Sequence, residues 1–221
     1  MRSYGQYCGL ARGLDLIGDR WILLVVRELL NGPRRYGELL DGLPGIATNL
    51  LTERLRTMQT TGLVARTDDD RYVLTEFGEG LRDVVFAIGR WAYPLMGQLQ
   101  EGQVFRSHWI AHPVAALFPG VDPSRPDLTV EVRCGGQPMT IRSRGGRVSV
   151  EPGPAAAPDL VLTGPPDAAI GLLARRIDAT EARAQGLAVT GDVRRLRRLR
   201  PAVPGPDRKP ALAKASERIQ S

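Results

Sequence analysis

The amino-acid sequence predicts an α+β protein of two domains, a mainly helical first domain followed by a domain that combines a sheet with helices. Two observations carry this prediction. Residues 45–64 have the pattern of an amphipathic helix, and two short strand-like runs follow it directly. From about Gly102 the chain contains more Pro and Gly, and strand-like runs precede helical ones. The length of 221 residues and the 43% hydrophobic content suffice for ordinary buried cores.

The segment GIATNLLTERLRTMQTTGLV, residues 45–64, separates into two faces on a 3.6-residue period. Its apolar residues share one arc: Leu50, Leu51, Leu55 and Met58. Its polar residues lie opposite: Thr48, Asn49, Thr52, Arg56 and Gln59. Short polar side chains with one arginine suit hydrogen bonds to base edges and phosphates better than a Glu/Lys surface does. The alternative is an amphipathic helix that only packs on a core.

The runs LVART and RYVLT follow Gly62 and are joined by the acidic turn Asp68–Asp70. They predict a β-hairpin with an arginine on each arm, Arg66 and Arg71. Upstream, the pattern predicts three helices, over Cys8–Ile17, Trp21–Leu30 and Tyr36–Leu43. Helices followed by a hairpin in this order are typical of a winged helix-turn-helix, which sets its third helix in the major groove of DNA.

Five motifs occur in order over the first hundred residues. They are an early cysteine, L-D-L-I-G-D-R-W, P-R-R-Y, G-I-x-x-N-x-L-T-x-R-L, and L-T-x-x-G before a long helix. With these motifs the segment resembles the HxlR-type family of bacterial transcriptional regulators. Two positions depart from the family pattern: Gly9 follows Cys8 where the family usually has Pro, and Ala47 replaces a frequent capping Ser. We expect Thr48 or water to cap the helix instead.

The resemblance implies a transcriptional regulator, which we expect to be a repressor that binds a palindromic double-stranded DNA operator as a homodimer. Together with the polar helix face and the local arginines, it predicts the DNA-binding residues Arg34, Arg35, Thr48, Asn49, Thr52, Arg56, Arg66 and Arg71.

The net charge of +6 does not by itself locate the DNA-binding surface. Residues 1–104 carry a net charge of −1, whereas residues 105–221 carry +7. DNA binding must therefore depend on a local basic face in the first half. Much of the excess comes from the run Arg194–Arg200. This run could contact phosphates, but the spacing of Leu196 and Leu199 favours a docked helix with a solvated basic face.

A long helix is predicted from Glu76 to Glu101, with Pro94 bending it. Most of its apolar residues share one face, and Phe86 and Tyr93 lie on the other side. A second apolar stripe needs a second partner, so we predict that Phe86 and Tyr93 form the dimer interface. The alternative is that they pack on the C-terminal domain.

The second half begins with a predicted helix, FRSHWIAHPVAALF, that ends near Pro119–Gly120. Four strand-like runs, two helical segments, a fifth strand LAVTGD and the Arg-rich helix follow. The pattern from DLVLTG onward resembles sterol-carrier-protein-2-like domains. This resemblance implies an apolar tunnel for lipid-like molecules. The small residues of PPDAAIGLLARR can leave room for such a ligand, and we predict Ile170, Leu172 and Leu173 as the pocket residues. The alternative is that the alanines only reflect helix propensity and that the interior is solid.

These patterns predict domains at residues 1–103 and 104–200 and a Pro-rich, disordered tail at 201–221. Neither an 18-residue apolar run nor a signal peptide occurs, so we expect a cytoplasmic protein that does not enter a membrane. His108 and His112 have helical i, i+4 spacing but no third ligand nearby in sequence, which disfavours a metal site. We expect no cofactor and no enzymatic activity.

Two alternatives to an effector-controlled repressor stay open. One is a lipid-carrier-like binding protein that uses the helix-turn-helix for protein contacts. The other is a redox-sensing regulator in which Cys8 reacts, with its thiol pKa lowered by Arg12 one turn along the helix. An inert thiol is the common outcome for a lone cysteine.

Overall fold

The structure is a computed structural model that describes residues 3–118 and 121–199. The predicted tail and the predicted helix end at Pro119–Gly120 lie outside the described residues. The chain divides into two compact units, residues 1–85 and 86–221. This division lies earlier in the chain than the predicted boundary at residues 103 and 104.

The first unit contains the predicted order of helices followed by a hairpin. Its elements are α1 (Gly9–Ile17), α2 (Ile22–Leu29), α3 (Tyr36–Gly42), α4 (Thr48–Thr60), β1 (Val64–Arg66), β2 (Tyr72–Leu74), α5 (Glu76–Glu79) and the start of α6 (Arg82–Ala92). Strands β1 and β2 pair antiparallel, with Val64 opposite Leu74. The backbone of Arg34 bonds both ways with that of Tyr72, at 3.0 and 2.7 Å, and so ties the segment before α3 to the hairpin.

The core of the first unit forms where α4 meets the preceding helices. Leu51, Leu55 and Met58 of α4 are fully buried. They join one cluster with apolar residues of α2, α3 and the hairpin, among them Val25, Leu39, Val64 and Tyr72. The sequence prediction of a buried apolar arc on this helix is confirmed for these three residues, whereas the fourth, Leu50, is half-buried.

The N-terminus of α4 differs from the prediction. Thr48 is the first helical residue rather than the cap, and Ala47 stands at the capping position without a side-chain hydrogen bond. The backbone N–H of Leu50 instead donates to Oδ1 of Asn49 at 2.9 Å. Asn49 thus partly replaces the serine cap that Ala47 cannot supply.

The predicted single helix from Glu76 to Glu101 is wrong. The chain forms α5, then α6, and then a 3₁₀ turn at Tyr93–Leu95. Gly80 ends α5, since glycine has a low helix propensity. Pro94 ends the α-helical hydrogen bonding after Ala92, because proline has no backbone N–H to donate.

The second unit is built on a five-stranded sheet. Its strands are β3 (Leu128–Arg133), β4 (Met139–Arg144), β5 (Arg147–Pro152), β6 (Leu160–Thr163) and β7 (Ala188–Gly191). Their order is β5-β4-β3-β6-β7, and of the four neighbouring pairs only β3 with β6 is parallel. All five strands were predicted from the alternation of apolar residues. The unit is α+β, as expected, but its topology does not establish a sterol-carrier-like identity.

Helical segments cover the apolar residues of this sheet. They are a 3₁₀ turn at Ser107–Ile110, α7 (Ala111–Leu117), α8 (Pro166–Leu173), α9 (Ala179–Ala184) and a 3₁₀ turn at Val193–Arg198. Every residue of α8 except Asp167 is buried. Its small side chains allow close packing, and a Cβ on Gly171 would lie 3.2 Å from Ile177.

Phe86 and Tyr93 do not form the exposed apolar stripe that was predicted, because Tyr93 is buried and Phe86 is half-buried. Tyr93 is only 7% exposed and belongs to the core of the second unit. The Phe86 ring lies 6.4 Å from that of His112. The alternative prediction, packing within the C-terminal part of the chain, fits both residues. The pattern failed because Pro94 turns the chain at Tyr93, so helical periodicity no longer applies there.

The arginine run near residue 195 stabilises the second unit. Leu196 and Leu199 are buried, as the docked interpretation expected, although the segment is a 3₁₀ turn rather than an α-helix. Arg195 pairs with Asp159, and Arg198 donates to the carbonyl oxygen of Asp127 at 2.8 Å. These contacts employ Arg195 and Arg198 within the fold rather than on phosphates.

Candidate nucleic-acid interface

The polar face of α4 is open along its length. Thr48, Asn49, Thr52, Arg56 and Gln59 are all exposed, while the opposite side of the helix is buried. A helix whose apolar edge is fixed in a core presents its outer face as a rigid surface. This is the arrangement that a helix needs to enter the major groove.

Tyr36 of α3 positions the first turn of α4. Its hydroxyl donates to the carbonyl oxygen of Thr48 at 2.8 Å and lies 3.3 Å from Oγ1 of Thr52. The Thr52 hydroxyl donates to the same carbonyl at 2.9 Å. With its proton engaged, Thr52 retains an acceptor lone pair and a methyl group for DNA. Sequence analysis missed Tyr36, although it lies within the P-R-R-Y motif.

Arg54 fixes α4 from the other side. Its guanidinium group lies 3.4 Å from the carboxylate of Asp19 and 3.2 Å from that of Glu53, and its Nε donates to the carbonyl oxygen of Arg20 at 3.4 Å. These contacts join the helix to the segment before α2. On a helical period Arg54 lies between the apolar and the polar face of α4. This position is the only signal in the sequence that could have indicated its role.

Arg56 is the exposed arginine at the centre of the candidate surface. No ion pair to it occurs among residues 3–118 and 121–199. Its guanidinium group therefore retains its donors for a base edge or a phosphate. The amide group of Asn49, by contrast, already accepts one hydrogen bond from the backbone of Leu50, which leaves its nitrogen as a donor.

Arg34 and Arg35 precede α3 on the edge of the same unit. Arg34 is half-buried and its backbone pairs with the hairpin, whereas Arg35 is exposed. The Arg35 backbone N–H donates to the carboxylate of Glu38 at 2.6 Å, which begins the helix. Both side chains project from backbone that is fixed by hydrogen bonds.

The two hairpin arginines are paired within the hairpin. Arg66 forms an ion pair with Asp70 and lies over the ring of Tyr72, 5.7 Å from its centroid. Nε of Arg71 lies 2.9 Å from Asp69, which also accepts a hydrogen bond of 2.6 Å from the Thr67 hydroxyl. The Thr67 hydroxyl and then Arg71 hold the pKa of Asp69 below its usual range. Sequence analysis placed arginines and acids in one hairpin but did not predict that they neutralise one another.

Cys8 is exposed at the residue before α1. The backbone N–H groups of Ala11 and Leu10 lower the pKa of its thiol because they stabilise the thiolate. Arg12 does not take the predicted part in this, since it lies 3.5 Å from Asp15. Burial raises the pKa of the other thiol, Cys134, to about 11.

The second unit contains cavities beside α8. Of the three predicted pocket residues, Ile170 lines two of them. Leu172 and Leu173 are buried in the core and line neither. Within the described residues no group of three or more His, Cys, Asp or Glu side chains could hold a metal ion, and no helix is long and apolar enough to cross a membrane.

Comparison with known proteins decides the class of the first unit. Residues 16–100 match the family model of the HxlR-like helix-turn-helix. The HTH-type transcriptional regulator YvaP of Bacillus subtilis is 32% identical over 87 residues, which cover 37% of this chain and 81% of YvaP. The chain belongs to the HxlR-like helix-turn-helix family.

A further regulator and a solved structure are also similar to the first part of this chain. The HTH-type transcriptional regulator sll1512 of Synechocystis sp. is 39% identical over 90 residues, covering 38% of this chain and 67% of the relative. The quinone-bound crystal structure of YodB from B. subtilis shares 32% identity, covers 38% of this chain and 94% of YodB, and has a TM-score of 0.36. As an HxlR-like protein, the chain is a DNA-binding transcriptional regulator. The family match ends at residue 100, before the sheet of the second unit.

The ion pairs of the hairpin predict how mutation of its acidic residues changes the affinity for DNA. Asp70→Asn should raise affinity for DNA of any sequence by about three- to tenfold at low salt, because it releases Arg66 to meet a phosphate. Asparagine tolerates the left-handed conformation of Asp70, whose φ is 70°. The slope of log affinity against log salt should steepen by about one. Fluorescence anisotropy with a labelled duplex measures both.

Asp68→Asn is the matched control, because it removes the same charge without releasing an arginine. No ion pair of Asp68 occurs in the described part of the chain. An equal gain from both variants would mean that the loss of negative charge, and not the release of Arg66, changes the affinity.

Proposed function

We propose that the protein is a cytoplasmic repressor that binds a palindromic operator as a homodimer and responds to a small hydrophobic effector in its second unit. The observation that carries the proposal is the rigid, open polar face of α4, with Arg56 unpaired among the described residues and the opposite edge of the helix buried. The proposal assigns no enzymatic activity and no cofactor to the chain.

The polar face has the chemistry for reading bases. A guanidinium group such as that of Arg56 bonds guanine through two acceptors, and an asparagine amide such as that of Asn49 bonds adenine. The methyl groups of Thr48 and Thr52 suit contact with thymine. Arg34 and Arg35 are placed to meet phosphates, which sets orientation rather than sequence preference. Arg66 and Arg71 join them only if DNA displaces their acidic partners.

Because residues of α4 are proposed to contact bases and Arg35 a phosphate, mutations at the two kinds of site should have different effects on DNA binding. Asn49→Ala or Arg56→Ala should weaken operator binding by about 1–3 kcal/mol and reduce discrimination against unrelated DNA. Arg35→Ala should weaken binding to all sequences alike. Gel retardation of the DNA upstream of the protein's own gene, with an unrelated duplex for comparison, measures both effects.

Arg144→Ala is the control for these variants, because it removes one exposed arginine from the second unit. It should leave operator affinity unchanged. If Asn49→Ala and Arg56→Ala bind the operator as tightly as the parent protein, α4 does not read the sequence.

The exposed face of α6 supports a homodimer. Val84, Ile88 and Trp91 recur at helical spacing and are all exposed, with Trp91 76% exposed. Large apolar side chains in a contiguous exposed row mark an interaction site. A homodimer formed through this row would supply one copy of α4 for each half of a palindrome, whose halves lie about 34–36 Å apart. This row replaces Phe86 and Tyr93 as the proposed interface.

Charges placed in this row should dissociate the dimer. Ile88→Lys combined with Trp91→Lys should yield monomers by light scattering, since lysine in an apolar interface must lose its hydration. Asp83→Lys, an exposed change on another side of the same helix, should leave dimers intact. Dimers that persist in the double variant would place the interface elsewhere, for example on the exposed apolar residues of α1.

A hydrophobic effector is supported by the cavities beside α8, two of which are lined in part by Ile170. The resemblance of the second half to sterol-carrier-like domains points the same way. A lipid-carrier-like protein without operator binding is the alternative. Retardation of the upstream DNA by the purified protein separates the two.

A redox input is a second candidate, favoured by the exposed Cys8 with its lowered thiol pKa. In that case an oxidant should change DNA retardation by the parent protein but not by Cys8→Ser. Cys8 and the cavities belong to different units, so each input is tested with its own variants.

A further inference from the structure

Glu53 lies at the centre of the outer face of α4, although it is an acid on a surface that is proposed to contact DNA. Successive residues of an α-helix turn by about 100°. On this period Glu53 lies nearly opposite the buried edge of the helix, and its side chain is exposed. Asn49 is four residues before it and Arg56 three residues after it, so all three share one face. DNA that meets Asn49 and Arg56 therefore also meets the Glu53 carboxylate.

A carboxylate at this place lowers the affinity for DNA in general, because it repels phosphate groups. The net charge of residues 1–104 is −1, so the DNA-binding unit has no broad positive field that would offset this repulsion. A base edge that donates a hydrogen bond to the carboxylate would offset it locally. The effect of Glu53 on binding therefore depends on which base it meets.

Arg54 holds the Glu53 carboxylate in place. Nη1 of Arg54 lies 3.2 Å from Oε1 of Glu53 and 3.4 Å from the carboxylate of Asp19. The Arg54 side chain is only 15% exposed, and its Nε donates to the carbonyl oxygen of Arg20 at 3.4 Å. In the part of the chain that the structure describes, the other oxygen of Glu53, Oε2, accepts no hydrogen bond. Glu53 thus presents a fixed carboxylate with one acceptor available.

Glu53 and Arg56 present opposite hydrogen-bonding groups side by side. Both line one depression of about 410 Å³ along α4. Residues three apart on a helix have Cβ atoms about 5–6 Å apart, and neighbouring bases of one strand are stacked about 3.4 Å apart. No ion pair joins Glu53 to Arg56 among the described residues, because the carboxylate is engaged by Arg54 instead. The face therefore offers donors at Arg56 and an acceptor at Glu53 to the same base pair or to the next one.

Cytosine is the base that matches an isolated acceptor. Its edge in the major groove carries the N4 amino donor, whereas guanine shows the acceptors N7 and O6 and thymine shows the acceptor O4. Adenine also has an amino donor, but its N7 acceptor lies beside that donor and repels a carboxylate. Guanine, in turn, is the base that an arginine contacts through two acceptors. One G·C pair, or two neighbouring pairs, would therefore satisfy Arg56 and Glu53 together.

We propose that Glu53 is a specificity-determining residue that accepts a hydrogen bond from N4 of a cytosine, paired with or next to the guanine that Arg56 contacts. The inference rests on the proposed function, since it names a base of the operator. Glu53 acts mainly by exclusion. The bond to cytosine offsets the repulsion by phosphates, whereas guanine O6 or thymine O4 at this place adds a second repulsion. Loss of the carboxylate therefore reduces discrimination more than it reduces affinity for the operator.

Selection of binding sites from a random duplex library tests the assignment with the full-length protein. Sites selected by the parent should contain one C·G position in each half that Glu53→Ala no longer selects. Discrimination at that position should fall about tenfold, while preferences at the other positions persist. Affinity for the parental site should change by less than about threefold, because the lost bond and the lost repulsion offset each other. If no position depends on Glu53, or if an A·T pair depends on it instead, the proposal is overturned.

A change of one group in the DNA isolates the amino donor. The base 2-pyrimidinone resembles cytosine but lacks the N4 amino group. At the selected position it should weaken binding of the parent about five- to tenfold and binding of Glu53→Ala less than about twofold, measured by fluorescence anisotropy. Equal losses in the two proteins would show that N4 is not read through Glu53.

Asp19→Asn is the matched control. Asp19 is 59% exposed, contacts the same nitrogen of Arg54 and lines the same depression, but it lies before α2 rather than on α4. The variant removes the same charge and should leave the selected C·G position unchanged. A loss of preference as large as in Glu53→Ala would mean that charge around Arg54, and not the Glu53 acceptor, selects the base.

The same selection separates this inference from the proposed function. A parent protein that enriches no sequence from the library would refute operator binding itself. Enriched sites whose preferences are the same in the parent and in Glu53→Ala would refute only the role of Glu53.

Discussion

The burial of one edge of α4 is the constraint on which the DNA-binding unit depends. Leu51, Leu55 and Met58 are each removed from water, and each contributes about 1.5–3 kcal/mol through the hydrophobic effect. This packing fixes the rotation of the helix about its axis, so the residues that are left outside are the polar ones. Tyr36 and Arg54 then hold the helix at both sides through hydrogen bonds and ion pairs. A transcription regulator needs this rigidity, because a base-reading side chain that moves by one ångström loses its hydrogen bonds.

Charge in the DNA-binding unit is local and partly neutralised. Arg56 is unpaired among the described residues, whereas Arg66 and Arg71 are paired with the acids of their own turn. The hairpin consequently contributes less to non-specific attraction than its arginines suggest. Since residues 1–104 carry a net charge of −1, affinity must come from a few well-placed contacts rather than from a broad positive field. Such a balance favours specific over non-specific binding.

The spacing of apolar residues along the chain predicted the elements that depend on local sequence alone. The two faces of α4, the hairpin and all five strands of the second unit follow from local patterns of apolar residues. What failed depends on contacts distant in sequence. Pro94 redirected Tyr93 into the core of the second unit, and the face of α6 that looked like a core face is exposed. No local pattern could reveal that Tyr93 and Asp167 border one cavity, because 74 residues separate them in the chain.

Directed cleavage of DNA tests whether α4 lies in the major groove. Glu53→Cys, exposed on α4, carries an iron chelate in a Cys8→Ser protein, where the buried thiol of Cys134 with its raised pKa stays unlabelled. If α4 lies in the major groove of each half-site, the upstream DNA should be cut in two clusters, about one helical turn apart and offset across the strands as for the major groove. Retained DNA binding with no localised cuts, or with cuts no stronger than from a chelate at Asp127→Cys, would contradict it.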